Sequence, residues 1–174
     1  ESPFYQTYKK AFCNATGLNL ALVPHYEEVP VAEQESGYLN PFCRQINGAG
    51  TRCQHCAMTD RCLFSHDNIQ GKTITCFAKM RETAIPVRCG DLTIAYLTTG
   101  QVFTEAHQEK DFDEVAGQLK GLASPGKNRE TLKQAWSGGR TMSIEQYQGI
   151  ITILAAFAVQ LSELFNHIII EEAN

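Results

Sequence analysis

Apolar residues in the first segment recur at helical spacing, with Phe4, Tyr8, Phe12 and Ala15 on one stripe. Ser2 as N-cap and Pro3 at the first helical position predict where that helix starts, and Gly17 predicts where it stops. The run "LNLALVP" alternates instead and predicts a strand ended by Pro24, after which Glu27 to Ser36 reads as an acidic loop. Tyr38 to Ile46 fits neither period. From near Thr51, "CQHCAMTDRCLFSHDN" has no breaker and predicts a helix. "KTITCFAK", "TAIPVRC" and "LTIAYLTTGQVF" then predict three antiparallel strands, separated by Met80 to Glu82 and by the turn pair Gly90-Asp91, with Cys76 on the first of them. Helices are predicted over Asp111 to Leu122 and Arg129 to Trp136, split by Ser124-Pro125-Gly126.

A long helix is predicted from Ser143 to the end. Ser143 and Gln146 make a capping box, and Ile144, Tyr147, Ile151, Leu154, Ala158, Leu161, Phe165 and Ile168 form a seam spaced by threes and fours. A second apolar line, Ile150, Ile153, Phe157 and Leu164, lies on a neighbouring face. One face packed on the helix's own domain and the other on a second copy would cover both, so a homodimer is expected.

The order of elements gives an α+β chain, an antiparallel sheet covered by helices rather than a parallel βαβ array. Residues 1–142 are expected to form one domain with a Cys-rich helical insert at about 38–68, and residues 143–174 a dimerisation helix.

Composition narrows the function classes. The chain has 174 residues, a net charge of −4 and no lysine or arginine run, so direct contact with nucleic acid is not expected. No basic region followed by an apolar stretch stands at Glu1, and the longest apolar run, Ile153 to Val159, is too short to span a bilayer. A cytoplasmic protein with reduced thiols and no membrane partner is expected.

Seven cysteines then matter for their spacing. Zinc takes thiolates tetrahedrally, and Cys53 and Cys56, three apart on one turn, form a half-site. Cys43 and Cys76 would complete a structural zinc set, with Cys62 as a competing ligand and His55 or His66 as substitutes; an iron–sulfur cluster is the lesser alternative. Buried thiols acting as small hydrophobes also fit, and for Cys13 and Cys89 that reading is preferred. The pair "CQHC" also allows a thiol redox site, although the polar, glycine-broken "RQINGAG" before Cys53 is unlike the buried strand that precedes such motifs in disulfide oxidoreductases. No nucleophile has an evident base and orienting group, so no catalysis is expected. His107 and His167 read as solvated surface residues, Asp111, Asp113 and Glu114 as an acidic helix start, and Trp136 as a core anchor.

In their order and spacing, "FCNATGLNLALV", Phe42-Cys43, Cys53, "CFAKMRETAIPV" and "DLTIAYLTTGQVF" resemble the PocR-type sensory domain. That is a PAS-like module found in front of bacterial DNA-binding regions and histidine kinases. Phe77 stands where that family often has His, and Lys79 where it has Gly. The resemblance implies an antiparallel sheet with helices over one face, a joint role for Cys43, Cys53 and Cys76, and binding of a small hydrocarbon derivative such as a short diol. A ligand held between sheet and helical insert would meet Phe42, Phe77, Met80, Tyr96 and Phe103, with Thr98 or Gln101 supplying hydrogen bonds. The function expected is sensing for a transcription regulator. The alternatives are a histidine-kinase sensor, or a thiol redox switch or disulfide oxidoreductase using Cys53 and Cys56.

Overall fold

Pro3 opens the first helix, α1 (Pro3–Thr16), and Gly17, at φ 69°, stops it in the left-handed region that glycine enters freely. The computed structural model describes residues 3–25, 38–47, 53–65, 70–119 and 128–172. Ser2, the Glu27 to Ser36 loop, Thr51, His66 and the Ser124-Pro125-Gly126 break lie outside the described residues. After α1 come β1 (Asn19–Pro24), α2 (Pro41–Ile46), α3 (Gln54–Leu63), β2 (Lys72–Thr75), β3 (Arg81–Cys89) and β4 (Leu92–Val102). Then follow α4 (Glu109–Gln118), α5 (Arg129–Ser137) and α6 (Ile144–Glu172).

The strands form one antiparallel sheet of order β1-β4-β3-β2, so the fold is α+β with a meander, as the patterns predict. Pro86, which can donate no ladder bond, lies beyond the last β2 pairing, Lys72 with Ala84. Cys76 is not on β2 as expected. The strand ends at Thr75, and residues 76–80 form a tight turn in which Cys76 exchanges backbone bonds with Lys79 and Met80 while Lys79 sits at φ 64°. The family resemblance places Gly at that position, and the left-handed φ supplies the reason. Helix α4 starts earlier than predicted because the Asp111 carboxylate accepts the Gln108 N–H at 2.6 Å.

Helices cover both faces of the sheet, not one. Alternation along β3 and β4 turns Ile85, Val87, Ala95 and Leu97 toward α1 and α6, where they share a core with Phe12, Leu20, Tyr147, Leu154 and Leu161. Ala84 and Tyr96 turn the other way and meet Leu63, with Phe64 and Ile74 beside them. A third cluster closes the end of the sheet, where Trp136 is fully buried among Phe42, Met80, Phe103 and Phe112 and donates Nε1–H to Ala78 O at 2.9 Å. His107 is not simply solvated: its ring stacks on Phe103 at 3.9 Å and meets the Trp136 edge at 4.9 Å.

The predicted Ser143–Gln146 capping box forms, with both reciprocal bonds present. By length and composition alone Ile144–Glu171 could cross a membrane. Yet its first seam, at Tyr147, Leu154, Ala158 and Leu161, is buried on its own sheet. Ser162 and Asn166 pin the same helix to the β3–β4 hairpin by accepting from the N–H groups of Arg88 and Gly90.

Candidate functional site

Two regions gather the chemistry, one at each side of the α2–α3 pair. At the sheet end, Asn40 caps α2 by accepting the Phe42 N–H at 2.9 Å, and Pro41 occupies the first helical position. Asn47 ends α2 and is 5% exposed. Its side-chain N–H groups reach Cys43 O at 2.9 Å and Cys56 Sγ at 3.4 Å, while its oxygen accepts the Cys53 N–H at 2.8 Å. One buried amide therefore ties the end of α2 to the first turn of α3. The dipeptide Asn40-Pro41 was a helix-start signal within the segment that had no clear period. Nothing local marks Asn47, whose partners are set by tertiary packing.

Cys43, Cys53 and Cys76 are buried in one core, and Cys56 packs against it. Cys53 holds the N-cap position of α3 without a side-chain cap bond. Its thiol is nonetheless lowered to about 6, first by the bond from the Cys56 thiol, then by the His55 and Cys56 amides, against the opposing effect of burial. Cys56 is pushed up, mainly because it donates to Cys53 and because it is buried. Burial and then the neighbouring Glu82 carboxylate push Cys76 up to about 12. His55 donates Nε2–H to Gln118 O at 3.1 Å at the end of α4 and lies 4.9 Å from Phe77, ring to ring.

A structural zinc site asks for four thiolates around one point. Among the described residues no group of three or more His, Cys, Asp or Glu side chains is placed to hold a metal ion. The four cysteines share a core, but as placed they do not fit a tetrahedral set. Zinc on Cys43, Cys53, Cys56 and Cys76 rests on spacing.

The expected ligand residues divide. Phe42, Met80 and Phe103 are packed around Trp136 with Phe77 at their edge. Gln101 is drawn to α2: its side-chain oxygen accepts the Asn40 N–H at 3.1 Å, and Asn40 Nδ2 donates to Gln101 O at 3.4 Å. Tyr96 and Thr98 alone lie on the α3-facing side of the sheet. The Tyr96 phenol is raised by burial and donates a long bond, 3.4 Å, to Phe64 O, with the His25 and Phe64 rings 5.7 and 5.0 Å away. Thr98 is half-buried and donates to Ala21 O at 3.5 Å. Two open clefts lined by described residues lie elsewhere. One, of about 490 Å³, runs between α4 and α5 at His107 and Lys133, and one of about 500 Å³ lies beside Arg140 and Ile150.

A family model described as the sensory domain found in PocR matches residues 2–166. Neither a curated protein nor a solved structure matches the chain.

Proposed function

The chain belongs to the PocR sensory-domain family, and from that premise we propose that it is a non-catalytic sensor of a small, neutral or weakly polar organic molecule. The ligand class is a short hydrocarbon derivative, the binding side is the Tyr96 face of the sheet, and α6 carries the signal. The output is a DNA-binding region of a bacterial transcription regulator acting in the cytoplasm, with a histidine kinase as the other output compatible with the same helix.

The contrast between the two sheet faces carries this reading. One face is closed by α1 and α6 over large side chains. The other presents the small residues Ala84, Pro86 and Thr98 around a single buried phenol whose hydrogen bond is long. A ligand hydroxyl offers that phenol a shorter partner than Phe64 O, and apolar carbon replaces contacts with Leu63 and Ile74. Exposed apolar residues on α6, among them Ile153, Val159 and Leu164, support a homodimer through that helix.

Calorimetric titration with ethylene glycol, propylene glycol and the corresponding short alcohols tests the reading. Saturable binding to one of them, lost in Tyr96→Trp with the fold retained, is the expected result. Binding unchanged in that variant, or no saturable binding across the panel, contradicts it.

A further inference from the structure

We propose that the cleft at the start of α6 is a second binding site, for a short aliphatic carboxylate, with Arg140 as its anion contact. The cleft, of about 500 Å³, has the size that small-molecule sites take. It joins one cation to an apolar wall made by half-buried Met142 and Ile150 and by exposed Ile153. None of its lining residues belongs to the Tyr96 face, and its ligand carries a charge that the sensed molecule does not.

Arg140 is held in place but not neutralised. Its guanidinium lies over Gly17 so closely that a Cβ there would overlap it, which puts the charge at the C-terminal end of α1, where helix carbonyls favour a cation. It pairs with no carboxylate among the described residues. The backbone on either side of Thr141 is pinned to one residue at the end of β4: the Phe103 N–H donates to Arg140 O at 2.9 Å, and the Met142 N–H donates to Phe103 O at 3.0 Å. A guanidinium on a fixed backbone, with no acid of its own, suits the paired oxygens of a carboxylate. Gln146 adds a second donor, because its amide oxygen accepts the Ser143 N–H at 3.2 Å and its Nε2–H groups are left for a ligand. Gly149 keeps the α6 side of the cleft open: a Cβ there would meet nothing within 4 Å.

Calorimetric titration of the protein with sodium hexanoate, with no glycol present, tests this site independently of ligand binding at Tyr96. Saturable hexanoate binding is expected. Acetate, which lacks the tail, and hexylamine, which reverses the charge, are each expected to bind about tenfold or more weakly. Arg140→Gln removes the anion contact, and Gly149→Glu sets a carboxylate of the chain's own in the open side of the cleft. Each is expected to weaken hexanoate about tenfold or more, with circular dichroism confirming the fold. Gly149→Glu, at a position with room for a side chain, makes the same test if the Arg140 variant does not fold. No saturable hexanoate binding by the folded wild type, acetate or hexylamine binding within about tenfold of hexanoate, or a smaller loss in a folded variant overturns the proposal.

Discussion

The Thr83 hydroxyl and the Tyr147 phenol meet at 2.7 Å across the boundary between the sheet and α6. Thr83 also shares a 2.7 Å bond with Thr73, so a hydroxyl chain runs from β2 through β3 into the long helix. With the bonds from Arg88 and Gly90 to Ser162 and Asn166, it gives the helix a fixed position on β3 within a largely apolar interface.

Burial pushes the Tyr147 phenol up to about 12 from its ordinary 10.0. The native state therefore keeps this proton at pH values where the unfolded chain has lost it. The associated stability is complete below pH 10.0 and declines as pH climbs toward about 12. Tyr147→Phe is expected to cost about 1 kcal/mol at neutral pH, since Thr83 retains Thr73, and to flatten that part of the alkaline loss. Urea unfolding of both proteins across alkaline pH measures the difference.

Gly100→Ala is expected to be severe. Gly100 sits at φ 136°, and an added Cβ would lie 2.4 Å from Arg81 O, a backbone atom that cannot turn aside. The next residue, Gln101, is itself left-handed at φ 59°, and the β3–β4 register shifts at Arg81/Glu82. A loss of about 3 kcal/mol or more is expected in chemical denaturation.

Elements announced by local chemistry were readable in the sequence. Pro3, Gly17, Gly90-Asp91 and the Ser143–Gln146 box act within a few residues of themselves, and each marks a boundary found in the fold. The candidate site was less legible. "TTGQVF" looks like a smooth strand, yet its Gly-Gln pair kinks the chain and sends Gln101 to α2 instead of toward a ligand. Phe42, Met80 and Phe103 have the composition of a pocket wall, but burial around Trp136 depends on helices far along the chain. Asn47 gives no local sign of its role because two of its four bonds go to the Cys43 carbonyl one turn back, as at any helix end, and the two that define the role, to the Cys53 N–H and the Cys56 sulfur, reach the next helix.

Asn40→Ala removes the cap of α2 and the tie to Gln101 O together. About 1–2 kcal/mol of stability is expected to be lost. Because α2 carries Cys43 and Asn47, the thiol pair of α3 is expected to become more open to alkylation, which timed mass spectrometry reads directly.

On α6 the second apolar line does not face outward as a whole: Phe157 is buried against Tyr8 and Ile150 packs on the same core, while Ile153 and Leu164 stay exposed, so buried and exposed positions call for opposite results. Leu154 is fully buried on its own sheet, so Leu154→Ala is expected to cost about 2–5 kcal/mol whatever the oligomeric state. Ile153 and Leu164 are 62% and 47% exposed. Ile153→Asp with Leu164→Asp is expected to leave thermal stability nearly unchanged and convert a dimer to monomer in sedimentation velocity. A wild type that sediments as a monomer at high concentration refutes the dimer.

Backbone hydrogen exchange, read by mass spectrometry with and without the glycol that binds, tests the sensing account most directly. Slower exchange over the β4 segment at Tyr96 and Thr98, together with altered exchange in α6 around Tyr147, is the expected outcome. Unchanged exchange in both segments at saturating glycol, or changes confined to the α4–α5 cleft, would contradict it.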